Sequence, residues 1–383
     1  MKRARRIFYV YFAVVSAALA QSGGNPSAAQ IDLGVRYVGW DSSYAAPYNG
    51  SEILAPLTVS LTPWKGGRIF GQTEFAQGNY TDSATGATQN LSLSGLSDTV
   101  LGFETAFNSF ALPSILNLGV NIPTGNSSWE TQQSNSIVPT DFVDSDYRGR
   151  GWGLSLLYGL SIPAGSEQYG VAGGYLYSGA FNPSYGLGTV SEQLKLGDSF
   201  FVSLNHATDR GQGQIDVLRL SAFYFLNTQV NGSTLMQMGP NLNASYGWQN
   251  PKALSFEVGG QYYFPAQQLN AGGQLSNEPY NSLGPRFYLT SGYNFGDWAL
   301  GARAKYVLPN GYPRSPTDAL YNGGGFLLGL EPTYKVKLDA QSALRFSGSF
   351  DYVSGITALD SSGNFANVSY GRWTFGTHYE VNL

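Results

Sequence analysis

From about residue 31 onward, apolar and polar positions alternate with a period of two. In the last segment Trp373, Phe375, Thr377, Tyr379, Val381 and Leu383 interleave with Arg372, Thr374, Gly376, His378, Glu380 and Asn382. Leu344, Phe346, Gly348, Phe350 and Tyr352 interleave with Arg345, Ser347, Ser349 and Asp351, and the segments at 300–308 and 254–264 read the same way. An amphipathic helix would repeat every 3.6 residues, so these segments are predicted to be strands.

The connections alternate in length. Tight turns are expected at 64–67, 163–166, 209–212, 249–252, 295–298 and 338–341, each rich in Gly, Pro, Asn or Asp. Between them lie longer polar stretches at 40–50, 80–95, 123–148, 180–195, 228–237, 265–283, 309–323 and 355–370. Short turns alternating with long loops predict an all-β fold: a closed antiparallel transmembrane β-barrel of about sixteen strands, or roughly fourteen to eighteen if boundaries slip. Trp40, Trp64, Trp152, Trp248, Trp298 and Trp373 fall at expected strand ends or beside turns, as an aromatic girdle at two membrane interfaces would place them.

Composition narrows the class. The 383 residues are 42% hydrophobic, 14% aromatic and only 12% charged, with 49 glycines, 26 tyrosines and no cysteine. That is about half the charge of an ordinary soluble domain, yet mean hydropathy is −0.16. A net charge of −4 offers no basic face for nucleic acid. Without cysteine there is no disulfide, thiolate chemistry or Cys-ligated metal. Residues 1–20 carry Lys2, Arg3, Arg5 and Arg6, then an apolar run and Ala18-Leu19-Ala20, which reads as a cleaved secretory signal. The expected organisation is a signal peptide at 1–20, a short periplasmic segment at 21–30 and the barrel at 31–383. The expected location is the outer membrane of a Gram-negative bacterium.

A membrane barrel turns its apolar face to lipid and its polar face to the lumen. The lumen-facing charges are then Asp32, Arg36, Glu52, Arg68, Glu74, Glu104, Glu257, Arg286, Arg303, Lys305, Glu331, Lys335, Arg345, Asp351, Arg372 and Glu380. Ring closure sets the basic residues of the last strands beside Arg36 and Arg68. Two readings stay open: a charge ladder producing a transverse field, or paired charges in a wide, unselective pore. The 123–148 stretch follows the fifth strand and carries Glu130, Asp141, Asp144 and Asp146, so it is either an acidic constriction folded into the pore or a solvated surface loop. The two histidines, His206 and His378, have no activated nucleophile beside them, and no GxSxG, HExxH or phosphate loop occurs. No enzyme, metal or cofactor is expected.

Residues 95–107 (GLSDTVLGFETAF) followed by 116–126 (LNLGVNIPTGN) resemble the paired-strand signature of outer-membrane proteins named for the meta-pathway of phenol degradation. Ser97, Ile122 and Asn126 depart from that pattern, which carries Gly, Leu and Asp there. The resemblance implies a transporter distantly grouped with porins and with importers of fatty acids and aromatic hydrocarbons. The C-terminus, with Trp373, Phe375 and Tyr379 on one face, resembles a barrel-assembly signal but ends at Leu383 rather than an aromatic. The expected partners are outer-membrane lipid, a small-molecule solute and the barrel-assembly machinery, with oligomeric state left open. The expected function is a channel for diffusion or uptake of small solutes, aromatic compounds among them. The alternative is a structural barrel sheathing a periplasmic partner such as a multihaem cytochrome.

Overall fold

The structure, a computed structural model, describes residues 28–42, 48–82, 89–125, 151–182, 193–250, 254–269, 275–281, 284–309, 324–359 and 365–382. In chain order the strands begin with β1 (Ala28–Ser42), β2 (Tyr48–Thr62), β3 (Gly67–Asp82), β4 (Gln89–Leu96), β5 (Thr99–Ser109), β6 (Leu112–Ile122), β7 (Gly153–Ala164) and β8 (Glu167–Ser178). Next come β9 (Ala180–Phe181), β10 (Leu194–Lys195), β11 (Ser199–Gly211), β12 (Gln214–Phe225), β13 (Asn227–Val230), β14 (Ser233–Gln237), β15 (Asn241–Gln249) and β16 (Leu254–Tyr263). The last are β17 (Ala266–Leu269), β18 (Leu275–Asn281), β19 (Arg286–Phe295), β20 (Trp298–Val307), β21 (Gly325–Lys337), β22 (Ser342–Leu359) and β23 (Phe365–Asn382).

The long strands pair antiparallel with their chain neighbours, and β1 also pairs with β23 in a ladder running from Gln30↔Asn382 to Ser42↔Tyr370. The result is a closed antiparallel barrel of sixteen staves, with no sheet edge at the seam. One stave is broken. β3 pairs with β5 over Gly67–Gln72 and with β4 over Phe75–Asp82, so β4 and β5 form a single stave interrupted at Ser97 and Asp98. Six short strands, β9, β10, β13, β14, β17 and β18, form a second sheet drawn from the long connections.

Of the tight turns placed from the sequence, those at 64–67, 163–166, 209–212, 295–298 and 338–341 join neighbouring staves, and the one at 249–252 lies partly outside the described residues. The Phe110–Ala111 turn between β5 and β6 has φ of 52° and 62° on residues that carry no turn signal. Both positions sit in the left-handed region that Gly and Asn normally supply, so chemistry alone does not announce this turn.

The two faces follow the period of two. On β1, Leu33, Val35 and Tyr37 are exposed, whereas Val38 and Trp40 on the other parity are buried. The same split runs round the ring: Leu101, Leu156, Val202, Leu242, Leu289, Leu330 and Phe375 lie exposed outside. Glu104, Asn117, Ser203, Asn241, Arg286 and Asp351 are buried inside. A water-soluble barrel would show the reverse; an apolar exterior over a polar interior is the arrangement lipid requires.

Candidate functional site: the inner wall of the barrel

One cross-strand row organises the inner wall. Register places Arg303 opposite Gly329, Gly329 opposite Asp351, Asp351 opposite Arg372, Arg372 opposite Trp40 and Trp40 opposite Gly50. Asp351 is fully buried and sits between two guanidiniums. Arg303 donates Nε–H to Oδ1 at 2.8 Å and an Nη2–H to Oδ2 at 2.6 Å. Arg372 donates its Nε–H to Oδ2 at 2.8 Å and a second, shorter bond from Nη2. The glycines make room: a Cβ on Gly329 would collide with the Asp351 carboxylate and lie 2.8 Å from Arg303 Nε, and a Cβ on Gly50 would collide with the Trp40 indole. Glycine therefore stands at the two positions over which a large neighbour folds, Arg303 and Asp351 over Gly329 and Trp40 over Gly50.

Trp40 departs from the expected girdle. It is only 4% exposed and shares its parity with Arg36 and Val38, so its indole lies on the inner face. β1 runs on to Ser42, which leaves Trp40 inside a strand where parity, not proximity to a loop, decides the face. Trp64 (41% exposed), Trp152 (56%) and Trp298 (48%) lie on the outside, and Trp248 and Trp373 share the outward parity of their strands.

Nearer the short-turn rim the inner face carries a second group of charges. Glu380 Oε2 lies 3.5 Å from Lys335 Nζ and 3.6 Å from Arg345 Nη2, and Gln30 donates to its Oε1 at 3.3 Å. His378 Nδ1 lies 3.3 Å from Asp32 Oδ1, and Gly34 leaves the space its ring fills. Arg36 reaches Glu74 at 3.9 Å, and Arg68 reaches Glu104 at 3.9 Å and stacks over Phe70. Asn117 donates to buried Glu104 at 3.0 Å. These longer, part-exposed pairs are individually weak, well under the buried Asp351 cluster in consequence.

The remaining inward residues are distributed as follows. Arg286 is buried with its guanidinium over the Tyr263 ring. Glu52 is buried on β2, two positions from Gly50. Lys305 and Glu331 take the inward parity of β20 and β21. Glu257 accepts from Arg219 at 3.1 Å and from the Tyr288 hydroxyl at 2.9 Å. Arg219 is an inward charge absent from the sequence-derived set. Its signal was available, because Val217, Arg219 and Ser221 alternate with Leu218 and Leu220.

Charge is unevenly spread around the ring. Between β6 and β15 the inward positions are mostly Ser, Asn, Gln, Gly, Ala and apolar residues, and the inward charges among the described barrel residues there are Arg219 and, at the short-turn rim, Asp209. Ile115, Leu157, Leu176 and Phe201 form a buried cluster on that arc, with Phe223 packed against it and stacked on Phe201 at 5.7 Å.

The break in the fourth stave is tied to the start of the long connection after β6. Asp98 Oδ1 accepts the backbone N–H of Gly125 at 3.0 Å, and its Oδ2 accepts from Asn121 Nδ2 at 2.8 Å. Asn121 also donates to the Gly151 carbonyl, and Thr124 to that of Ser97. Within the segments 95–107 and 116–126, paired in the sequence only by likeness, residues 99–107 and 116–122 lie on adjoining strands with a polar knot at one end, and residue 126 lies outside the described residues. Glu130, Asp141, Asp144 and Asp146 lie outside the described residues.

His206 has partners that its sequence context did not reveal. It stacks on Tyr169 at 4.7 Å and lies 3.6 Å from Glu167, on the outward parity of β11 near the short-turn rim. Among the described residues no group of three His, Cys, Asp or Glu side chains is placed to hold a metal.

No protein-family model matches the sequence, and no curated protein matches it. Solved structures similar to it over nearly the whole chain are outer-membrane channels. The COG4313 outer membrane channel from Pseudomonas putida F1 is 10% identical, with 94% of this chain and 97% of that one covered and a TM-score of 0.38. Pseudomonas aeruginosa OccK9 (OpdG) is 13% identical, with 93% and 98% covered and a TM-score of 0.45. The TodX deltaS2S3 mutant monoaromatic hydrocarbon channel is 12% identical, with 94% and 92% covered and a TM-score of 0.42. All three scores lie below 0.5, and none transfers a residue or a solute to this chain.

Proposed function

We propose that the chain is a passive channel in the outer membrane of a Gram-negative bacterium, passing small solutes through the barrel lumen. The observation that carries this reading is the inverted barrel: exposed Leu, Val, Tyr and Phe around the outside, charged and polar side chains within. Water is the only medium that favours an inner wall bearing Asp32, Arg36, Lys335 and Arg345 with part of each side chain accessible. The reading involves no catalytic step. The meta-pathway resemblance adds aromatic compounds as candidate solutes, and it rests on segments 95–107 and 116–126 alone.

Refolded full-length protein in planar lipid bilayers should give discrete, ohmic current steps in potassium chloride. Protein shown to be folded by its β-rich circular dichroism and heat-modifiable migration, yet electrically silent, overturns the channel reading. Co-purification of a stoichiometric periplasmic partner with silent bilayers would favour the scaffold instead.

A further inference from the structure

The lipid-facing surface carries one concentration of charge. Among barrel-strand residues with described side chains, the outward parity holds an acidic, basic or imidazole group only at Glu167 on β8, at His206 and Arg210 on β11 and at Asp216 on β12. These three staves are adjacent, and the four residues lie toward their short-turn ends. The short turns of an outer-membrane barrel face the periplasm, so the group meets the headgroups of the periplasmic leaflet. Deeper along the same staves stand exposed Leu218, then Val171, Leu204 and Leu220, which meet the acyl chains.

Pairing within the group leaves capacity on both signs of charge. The Tyr169 hydroxyl donates to Glu167 Oε2 at 2.5 Å, and His206, stacked on Tyr169 at 4.7 Å, holds Nε2 3.6 Å from the same oxygen. The Glu167 side chain is 43% exposed, and a carboxylate accepts about four hydrogen bonds over its two oxygens. Arg210 uses Nε and Nη2 on Asp216 and its side chain is 61% exposed, so donors remain on its guanidinium. Register runs Glu167↔Thr208↔Asp216. Two interstrand spacings, about 9.5 Å, therefore separate the strand position of the acid from that of Asp216, to which the guanidinium is held.

A headgroup bearing a primary ammonium and a phosphate matches this arrangement, because each end finds a charge-assisted hydrogen bond of the right sign. A quaternary ammonium has no N–H to donate to Glu167, and a purely anionic headgroup leaves Glu167 unmatched. We propose that the β8–β11–β12 rim binds one ethanolamine-type glycerophospholipid of the periplasmic leaflet, its ammonium on Glu167 and its phosphate on Arg210. Tyr169 and His206 position the Glu167 carboxylate. The site lies outside the lumen and requires the membrane barrel alone, so it stands or falls independently of conduction.

Trp248, opposite Asp216 on the next stave, is a built-in reporter, and Trp298 at the short-turn end of β20 is its control. The test uses full-length single-tryptophan proteins keeping one or the other, in phosphatidylcholine vesicles. Each is doped with a minor fraction of brominated-acyl phosphatidylethanolamine, phosphatidylcholine or phosphatidylglycerol. At Trp248 the ethanolamine lipid is expected to be enriched about threefold over either comparator, the modest gain of exposed ion pairs. At Trp298 the three should quench alike. Glu167→Gln should bring the ethanolamine lipid down to the phosphatidylcholine level at Trp248. On the parent protein, spin-labelled forms of the same lipids should show an excess immobilised ethanolamine fraction that Glu167→Gln removes, a readout independent of tryptophan replacement. Equal quenching by the ethanolamine and choline lipids at Trp248 overturns the ammonium contact. Phosphatidylglycerol quenching as strongly overturns the two-charge match, and the same ethanolamine preference at Trp298 overturns a local site.

Discussion

Asp98 holds Gly125 across 27 residues of chain, its Oδ1 accepting the Gly125 N–H at 3.0 Å while Oδ2 takes the Asn121 amide at 2.8 Å. Both carboxylate oxygens are used, at 6% exposure, so the contact joins the broken stave to the root of the connection that follows β6. Asp98→Ala removes two charge-assisted hydrogen bonds and strands two donors. A loss of about 2–4 kcal/mol is expected in urea unfolding from lipid vesicles. A midpoint matching the parent protein would remove the knot from the fold's supports.

Asp351→Asn should be the most damaging single change on the inner wall. It leaves buried Arg372 and part-exposed Arg303 as neighbouring cations with no counter-charge; an uncompensated buried charge costs up to about 3–5 kcal/mol, less where solvent reaches it. Arg303→Gln, by contrast, keeps a one-to-one pair and should cost clearly less. Urea midpoints of the two variants in the same vesicles check the order, and a reversed order would contradict the shared-carboxylate arrangement.

Gly329→Ala tests the row by volume alone. Its added methyl meets the Asp351 carboxylate and Arg303 from a strand position with ordinary extended backbone, so the penalty comes from crowding, about 1–3 kcal/mol. Gly95→Ala serves as a control, since a Cβ there meets nothing within 4 Å. Equal stabilities for the two variants would argue against the observed packing.

Trp40 and Trp298 should report opposite media. In single-tryptophan variants inserted in bilayers, lipids carrying brominated acyl chains should quench Trp298, exposed on the outer surface, and leave Trp40 emission nearly unchanged. Strong quenching of Trp40 would return it to the outer belt.

The β21–β22 turn should be pH-sensitive at its tip. The Asp339 carboxylate accepts the N–H groups of Gln341 and Ser342, both at 2.7 Å. The Ser342 hydroxyl bond, with these, holds its pKa below the usual 3.8. A depressed carboxylate stabilises above its unfolded pKa and loses that contribution as pH falls through the folded one. Protection of the Gln341 and Ser342 amides, relative to the unstructured exchange rate at each pH, should therefore hold at pH 5 and fall only below 3.8; loss of protection already near pH 5 would contradict this.

The staves were legible because a half-lipid, half-water strand must alternate, and a shift of one residue would reverse every side chain. Five turns that join neighbouring staves were legible from Gly, Pro, Asn and Asp. Phe110–Ala111 was not, since its backbone is forced by the pairing of β5 with β6 rather than by local preference. Parity also assigns the inner charges to a face while hiding their partners. Which cation meets which acid depends on register across strands up to hundreds of residues apart, as with Asp32 and His378, and alternation along one strand carries no such information. Trp40 shows the same limit in reverse, because nearness to a loop suggested one face and parity decided the other.

The seam between β1 and β23 sets the order in which this molecule can come into being. Its first and last strands are mutual neighbours from Gln30↔Asn382 to Ser42↔Tyr370, so ring closure must wait until the final residues have been synthesised and delivered. Until then the chain offers two unpaired edges and an apolar flank to the solvent, an aggregation-prone interval that lengthens with the sequence separation of the contacts still to form.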